Sequence, residues 1–223
     1  MSLTPNIIFD LDGTLADSAP SLCKAGNLLL SELDRPPIDV ETYKGFIGKG
    51  LHKQVEQLLS YTGGVPQNKL EKHFELFCDL YNADPLSATH LYEGVDDALG
   101  YLKALPSRLA ICTQKMEKPA RVILKGLMIE HYFDGFAFGD SLPVMKPDPA
   151  MVNFSMEGFG SGPLIYVGDS ETDSLTAKNA GAKFLLFSGG YRNSSIEKLG
   201  HDAFFDHYLE LGSLVNQILD DWN

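Results

Sequence analysis

Asn6-Ile7-Ile8-Phe9-Asp10-Leu11-Asp12-Gly13-Thr14-Leu15 decides how this chain is read. A short apolar run stops at two aspartates one residue apart, and Gly-Thr follows. A run that is apolar on both faces reads as a buried parallel strand. Gly13 then lets the chain turn sharply. Side chains at i and i+2 share a strand face, so Asp10 and Asp12 would repel if both stayed extended and unpaired. A divalent cation relieves that repulsion, because hard cations take oxygen ligands. The same string also reads as a polar strand end entering an Asp-Gly turn, since both residues are common in turns. The rest of the chain separates the two readings.

The 223 residues suffice for one large domain, or one domain with an insert. Hydrophobic residues make up 44% and charged residues 22%, as in ordinary globular proteins. No apolar run is long enough to cross a bilayer. The chain enters a strand with no basic region and apolar stretch before it, so no secretory signal is expected. Cys23, Cys78 and Cys112 are odd in number and far apart, which argues against a disulfide framework or a CxxC metal site. Buried thiols in a reducing cytoplasm are expected instead. The formal net charge of -12 disfavours nucleic acid as a partner. A site for an anionic substrate must therefore build its positive potential locally.

Strand-like runs recur at Ile7 to Phe9, Leu109 to Cys112, Phe136 to Phe138, Leu164 to Val167 and Phe184 to Phe187. Helical patterns lie between them. Val95, Ala98, Leu99 and Leu102 mark one helix face that stops before Pro106. Pro119 fits the first turn of a helix carrying Val122, Ile123 and Leu127. Asp173 to Ala180 reads as a helix ended by Gly181. Strand and helix alternation predicts an α/β fold, a Rossmann-like parallel sheet with helices on both faces. Residues 18–87 break the rhythm with no convincing strand. Leu51, Val55, Leu58 and Leu59 share a helical face, as do Leu70, Phe74, Phe77 and Tyr81. This predicts a small helical insert, with 1–17 and 88–223 forming the core. Phe204-Phe205 is read as core packing near the C-terminal segment that ends in Leu211, Leu214 and Ile218. The six histidines show no zinc-like spacing and are read as structural or exposed.

Four polar groups stand near the ends of four apolar runs. Asp10 and Asp12 follow the first, and Thr113-Gln114-Lys115 follow Leu109-Ala110-Ile111-Cys112. Lys146-Pro147-Asp148-Pro149 comes a few residues after Phe138, and Gly168-Asp169-Ser170-Glu171-Thr172-Asp173 follows Ile165-Tyr166-Val167. In open α/β sheets, ligands bind outside the carboxyl ends of the strands. Each group has a bland reading: Thr113 as a helix cap, Lys146 as a solvated lysine, Asp169 and Asp173 as first-turn acids favoured by a helix dipole. Four coincidences at one edge favour a site.

Asp10-Leu11-Asp12-Gly13-Thr14, Thr113, Lys146 and Gly168-Asp169 through Asp173 resemble the four motifs of the haloacid-dehalogenase superfamily, in order and over nearly the whole chain. The helical insert resembles the type of cap domain placed just after the first motif. Asp12 to Pro20, Ile47-Gly48-Lys49-Gly50, Lys146 to Pro149 and Phe187-Ser188-Gly189-Gly190-Tyr191 are similar to phosphoglycolate phosphatases. Gln114 stands where the second motif more often carries Asn.

The resemblance implies hydrolysis of a small phosphate monoester, 2-phosphoglycolate foremost, through an aspartyl-phosphate. Asp10 is then the nucleophile and Asp12 the acid and later the base. Lys146 supplies a charge, and Thr113 and the turn amides near Gly13 and Gln114 supply donors. Mg2+ is implied between the Asp10 carboxylate, the Asp12 main-chain carbonyl and Asp169, with Asp173 orienting its waters or adding a ligand. The insert acts as a lid, where Gly48-Lys49-Gly50 could offer amides and the Lys49 cation to a second anionic group. That segment also reads as a flexible loop with a solvated lysine. Arg192 is read as facing the substrate or as an ordinary surface arginine. The expected partner is a small phosphorylated metabolite, with no nucleic acid and no membrane, for a cytoplasmic monomer or homodimer. Asp12 argues against metal-independent haloacid dehalogenases and against phosphonatases. A sugar phosphomutase of the β-phosphoglucomutase type keeps all four motifs and stays open as an alternative. A silent phosphate-binding module is the reading from another class.

Overall fold

A computed structural model describes residues 4–66 and 69–222. In chain order the strands are β1 (Asn6–Phe9), β2 (Ala16–Asp17), β3 (His90–Leu91), β4 (Arg108–Cys112), β5 (Gly135–Ala137), β6 (Leu164–Gly168), β7 (Lys183–Phe187) and β8 (Ala203–Phe205). The helices are α1 (Ala19–Ser31), α2 (Val40–Lys44), α3 (Leu51–Tyr61), α4 (Leu70–Ala83), α5 (Val95–Ala104), α6 (Glu117–Gly126), α7 (Ala150–Ser155), α8 (Glu171–Ala180) and α9 (Leu211–Trp222).

Six strands form one parallel sheet in the order β5-β4-β1-β6-β7-β8. All four residues of β1 are buried, as a strand covered on both faces requires. Ile7 and Phe9 join an apolar cluster with Val95, Leu99, Ile123, Leu124, Leu211 and Val215, so α5, α6 and α9 cover one face. Ile8 joins Ala110, Tyr166, Met151, Val152 and Ala177, so α7 and α8 cover the other. The α/β architecture and all five strand-like runs are as expected from the sequence. Gly181 closes α8 at φ 70°, in the left-handed region that favours glycine.

The structure adds a sixth strand, β8, where the sequence reading saw only core packing. Successive strand residues point to opposite faces. Phe205 is therefore buried while Phe204 is 49% exposed, so only one of the pair packs in the core. Val122 is likewise exposed beside a buried Ile123, because one residue along a helix turns the side chain well away from the apolar stripe.

Helices α1 to α4 lie between β2 and β3 and surround an apolar cluster of their own, which includes Leu22, Leu29, Val55, Leu58, Phe77 and Tyr81. β2 and β3 pair antiparallel, Ala16 with Leu91 and Asp17 with His90. This short ladder brings the chain into and out of the helical layer side by side. Leu58 is fully buried in that layer, so Leu58→Ala should destabilise the protein by about 2–5 kcal/mol, through lost burial and the cavity left behind. Denaturant unfolding of the two proteins checks it, and a change below about 1 kcal/mol would show the layer to be loosely packed.

Candidate active site

Asp10 follows β1 directly, Thr113 follows β4 and Asp169 follows β6. β1 lies between β4 and β6, and the chain passes from β5 on one side to β6 on the other. The strand order reverses here, which opens a crevice at the carboxyl edge. Asp10, Asp12, Thr113, Gln114, Lys146 and Asp169 all line one cavity at this edge, about 40 Å³ in volume.

Lys146 holds the site together. Its Nζ lies 2.9 Å from Asp10 Oδ2 and 2.7 Å from Asp173 Oδ1, and it donates to the Tyr166 hydroxyl at 3.2 Å. Burial pulls the Lys146 ammonium down, but Asp10 and Asp173 outweigh it and hold it charged. Asp173 Oδ2 accepts from the Asp169 and Ser170 amides at 3.2 and 3.1 Å and from Ser170 Oγ at 2.6 Å. Ser170 Oγ in turn takes the Asp173 amide, which closes a capping box at the start of α8. Asp169 accepts from Thr14 Oγ1 at 2.8 Å and from the Tyr191 amide at 2.7 Å.

Two glycines make room for Asp169. Gly13 has φ 83°, and a Cβ there would meet Asp169 Oδ2 at 2.5 Å. A Cβ at Gly190 would meet Asp169 Cβ at 2.2 Å. Neither position admits a larger residue without moving the carboxylate.

Asp12 points toward the helical layer. Its carboxylate accepts from Ser18 Oγ at 2.5 Å and from Lys115 Nζ at 3.0 Å to each oxygen. Lys115 is buried and lies over the Tyr81 ring, 4.7 Å from its centroid. The Tyr191 hydroxyl accepts the Ser18 and Ala19 amides at 2.8 and 3.0 Å and donates to Asp17 Oδ1 at 2.6 Å. It thereby satisfies donors at the start of α1 that have no partner within the helix.

The residues suggested by the sequence do not all meet. Thr113 is buried beside Asp10 and accepts the Lys115 amide. Gln114 donates through Nε2 to the Gly48 carbonyl at 3.0 Å, and Thr172 Oγ1 donates to the same oxygen at 3.0 Å. The loop before α3 thus turns a carbonyl toward the core, and Lys49 is exposed, outside the cavity lining. Arg192 donates to the Ser188 carbonyl and is also outside that lining. Both Asp173 oxygens are engaged, Oδ1 by Lys146 and the Tyr166 hydroxyl and Oδ2 by the 169–170 amides and Ser170 Oγ. Lys115, Ser18, Tyr81 and Tyr191 carry no assigned role in the sequence reading. Nothing local marks Lys115, since most lysines are solvated. Tyr191 had a signal, its place after the Gly-Gly turn.

Residues 7–187 match the model of the haloacid dehalogenase-like hydrolase family. The chain belongs to that family. A phosphoglycolate phosphatase of Cereibacter sphaeroides is 38% identical over 218 residues, which cover 96% of this chain and 99% of that protein. Its counterpart in Rhodospirillum rubrum is 36% identical and covers 92% and 88% of the two chains. The crystal structure of a predicted phosphoglycolate phosphatase from Haemophilus somnus superposes with a TM-score of 0.89 at 28% identity, covering 96% of this chain and 99% of that one. This family member is phosphoglycolate phosphatase-like and a phosphoric monoester hydrolase by class. Among its described residues, no helix is long and apolar enough to cross a membrane.

The family implies Mg2+, and the donor set fits it. Oxygens of Asp10, Asp169 and Asp173 lie within 4.8 Å of one another. Asp10, Asp12, Asp169 and Asp173 put four carboxylates here against only two ammonium groups, Lys115 and Lys146. Burial pushes the Asp10 carboxyl up to about 6 from 3.8, with Asp173 and Asp12 adding and Lys146 opposing. Burial, then Asp173 and Asp10, hold the Asp169 carboxyl well above its usual range. In the absence of a cation these groups retain protons that the unfolded chain has already released. Stability from this source is therefore present at low pH and is lost as pH rises through about 6. In chelator, Tm should fall between about pH 5 and pH 7, Asp10→Asn should flatten that fall, and excess Mg2+ should reverse it. Thermal scans across that range test all three, and a chelated protein that gains stability toward pH 7 would show that Asp10 and Asp169 do not retain their protons on folding.

Proposed function

We propose that this chain is a Mg2+-dependent phosphatase that hydrolyses a small phosphate monoester, 2-phosphoglycolate, through a phosphoryl group carried on Asp10. The carrying observation is the placement of Asp10, with Lys146 2.9 Å away and the Asp169 carboxylate clustered with it. Asp10 attacks phosphorus and the ester P–O bond breaks. Asp12 gives its proton to the departing alkoxide, then takes one from the water that attacks the phosphoryl-aspartate. Lys146 balances charge on the transferring group, and Thr113 Oγ1 with the amides near Gly13 and Gln114 donates to its oxygens. Asp10, Asp169 and the Asp12 main-chain carbonyl would hold the cation, while Asp173 orients Lys146 and the 169–170 backbone. When bound, the cation supplies the positive charge that lets an anionic phosphate approach the carboxylates.

In this reading residues 18–87 form a cap over a core of 1–17 and 88–223. The cap excludes water and completes the pocket. The names of the relatives support the substrate. The three free cysteines suit a reducing cytoplasm.

Phosphate release from 2-phosphoglycolate, glucose 1-phosphate and p-nitrophenyl phosphate tests the proposal. Activity should require Mg2+ and be greatest on 2-phosphoglycolate. Asp10→Asn should lose it to background, and Asp12→Asn should lose about 10²- to 10⁴-fold, as expected for a general acid–base group. Full activity in Asp10→Asn would remove the nucleophile from the scheme.

A further inference from the structure

The phosphate end of the cavity is accounted for, and the other end is not. An ester whose phosphorus meets Asp10 must turn its bridging oxygen toward Asp12 to receive a proton. The rest of the substrate then extends past Asp12 into the space under the helical layer. That space is lined by Leu22, Ile47, Leu51, Gln54, Tyr81 and Lys115. Two lysines line the whole cavity. Lys146 is engaged by Asp10 and Asp173, which leaves Lys115 as the cation at the leaving-group end.

Two independent observations show that this end expects a ligand. Lys115 is a deeply buried ammonium with three donors, and its one carboxylate partner is Asp12. Tyr81 is 1% exposed and lines the same space, and its hydroxyl, beside the Lys115 ammonium, has no acceptor for its proton. A buried hydroxyl proton without an acceptor is costly, and a ligand acceptor at that point would remove the cost.

We propose that Lys115 and Tyr81 form the specificity-determining subsite, which takes an acidic group carried one carbon from the ester oxygen. This rests on the phosphatase reading above. The spacing follows from the geometry. Lys115 Nζ is 3.0 Å from the Asp12 oxygens, and the bridging oxygen must itself reach Asp12. A carboxylate on the carbon bearing that oxygen comes within reach of Lys115, over whose ammonium the Tyr81 ring is packed. An ester lacking the acid leaves both groups as they are now. A site with unpaired buried polar groups discriminates strongly against such a substrate. Lys49, the cation the sequence suggested for this task, is exposed outside the cavity.

The test compares 2-phosphoglycolate with ethyl phosphate, which keeps the ester and lacks the acid. Parent, Lys115→Met and Tyr81→Phe are assayed with saturating Mg2+, and the ratio of kcat/KM for the two esters is read. Lys115→Met should lower that ratio roughly 10- to 100-fold, and Tyr81→Phe roughly 3- to 10-fold with the change in KM. A ratio unchanged in both variants overturns the subsite, because a residue that only orients Asp12 would slow both esters alike. Tyr81→Phe removes one unpartnered oxygen and keeps the ring, so it decides the matter if Lys115→Met does not fold. A parent that releases phosphate from neither ester overturns the proposed function itself. A parent that turns over ethyl phosphate as well as 2-phosphoglycolate overturns the subsite alone.

Discussion

The Lys146 ammonium, buried between Asp10 and Asp173, is the interaction on which the site depends. Three of its neighbours come from different parts of the sheet edge: Asp10 after β1, Tyr166 within β6 and Asp173 in the first turn of α8. An uncompensated charge at that depth would be prohibitive, and truncating either partner of a buried pair costs more than the pair contributes. The lysine therefore fixes the spacing of carboxylates that would otherwise move apart. Asp173 passes the constraint on through Ser170 and the Asp169 amide. Asp169 is fixed in turn by Thr14 from the loop after β1. The chain of contacts closes on the loop where it began.

The helical layer is joined to this arrangement by few but specific groups. Gln114 and Thr172 donate to one carbonyl, that of Gly48. Ser18, between β2 and α1, donates to Asp12. The layer's apolar cluster is otherwise built from its own helices, with Tyr191 contributed by the sheet. Such a layer has an apolar cluster of its own and a polar seam against the core.

Much of the fold was legible because the strands are apolar on both faces and the helices carry clear stripes. β8 was not, since Ala203–Phe205 is three residues long and half exposed. β2 and β3 were not, since two residues make no pattern. Asp10, Lys146 and Asp169 stand at strand ends or in the loops beyond them, where topology alone predicts ligand chemistry, and the structure gathers them. Lys49 and Lys115 show the limit. Both are lysines beside small or polar residues, and the sequence gives no reason to bury one and expose the other. The choice is made by Asp12 and Tyr81, which lie far from Lys115 in the chain and meet it only after folding. Gln114 likewise departs from Asn by one methylene, and its amide reaches the Gly48 carbonyl.

Tyr191 has one further consequence. Its amide hydrogen orients Asp169, and its hydroxyl holds the first amides of α1. One residue thus grips the Asp169 carboxylate with its backbone and the start of α1 with its ring tip. Swinging the helices away from the sheet would drag on that phenol and, through the same residue, on the Asp169 carboxylate.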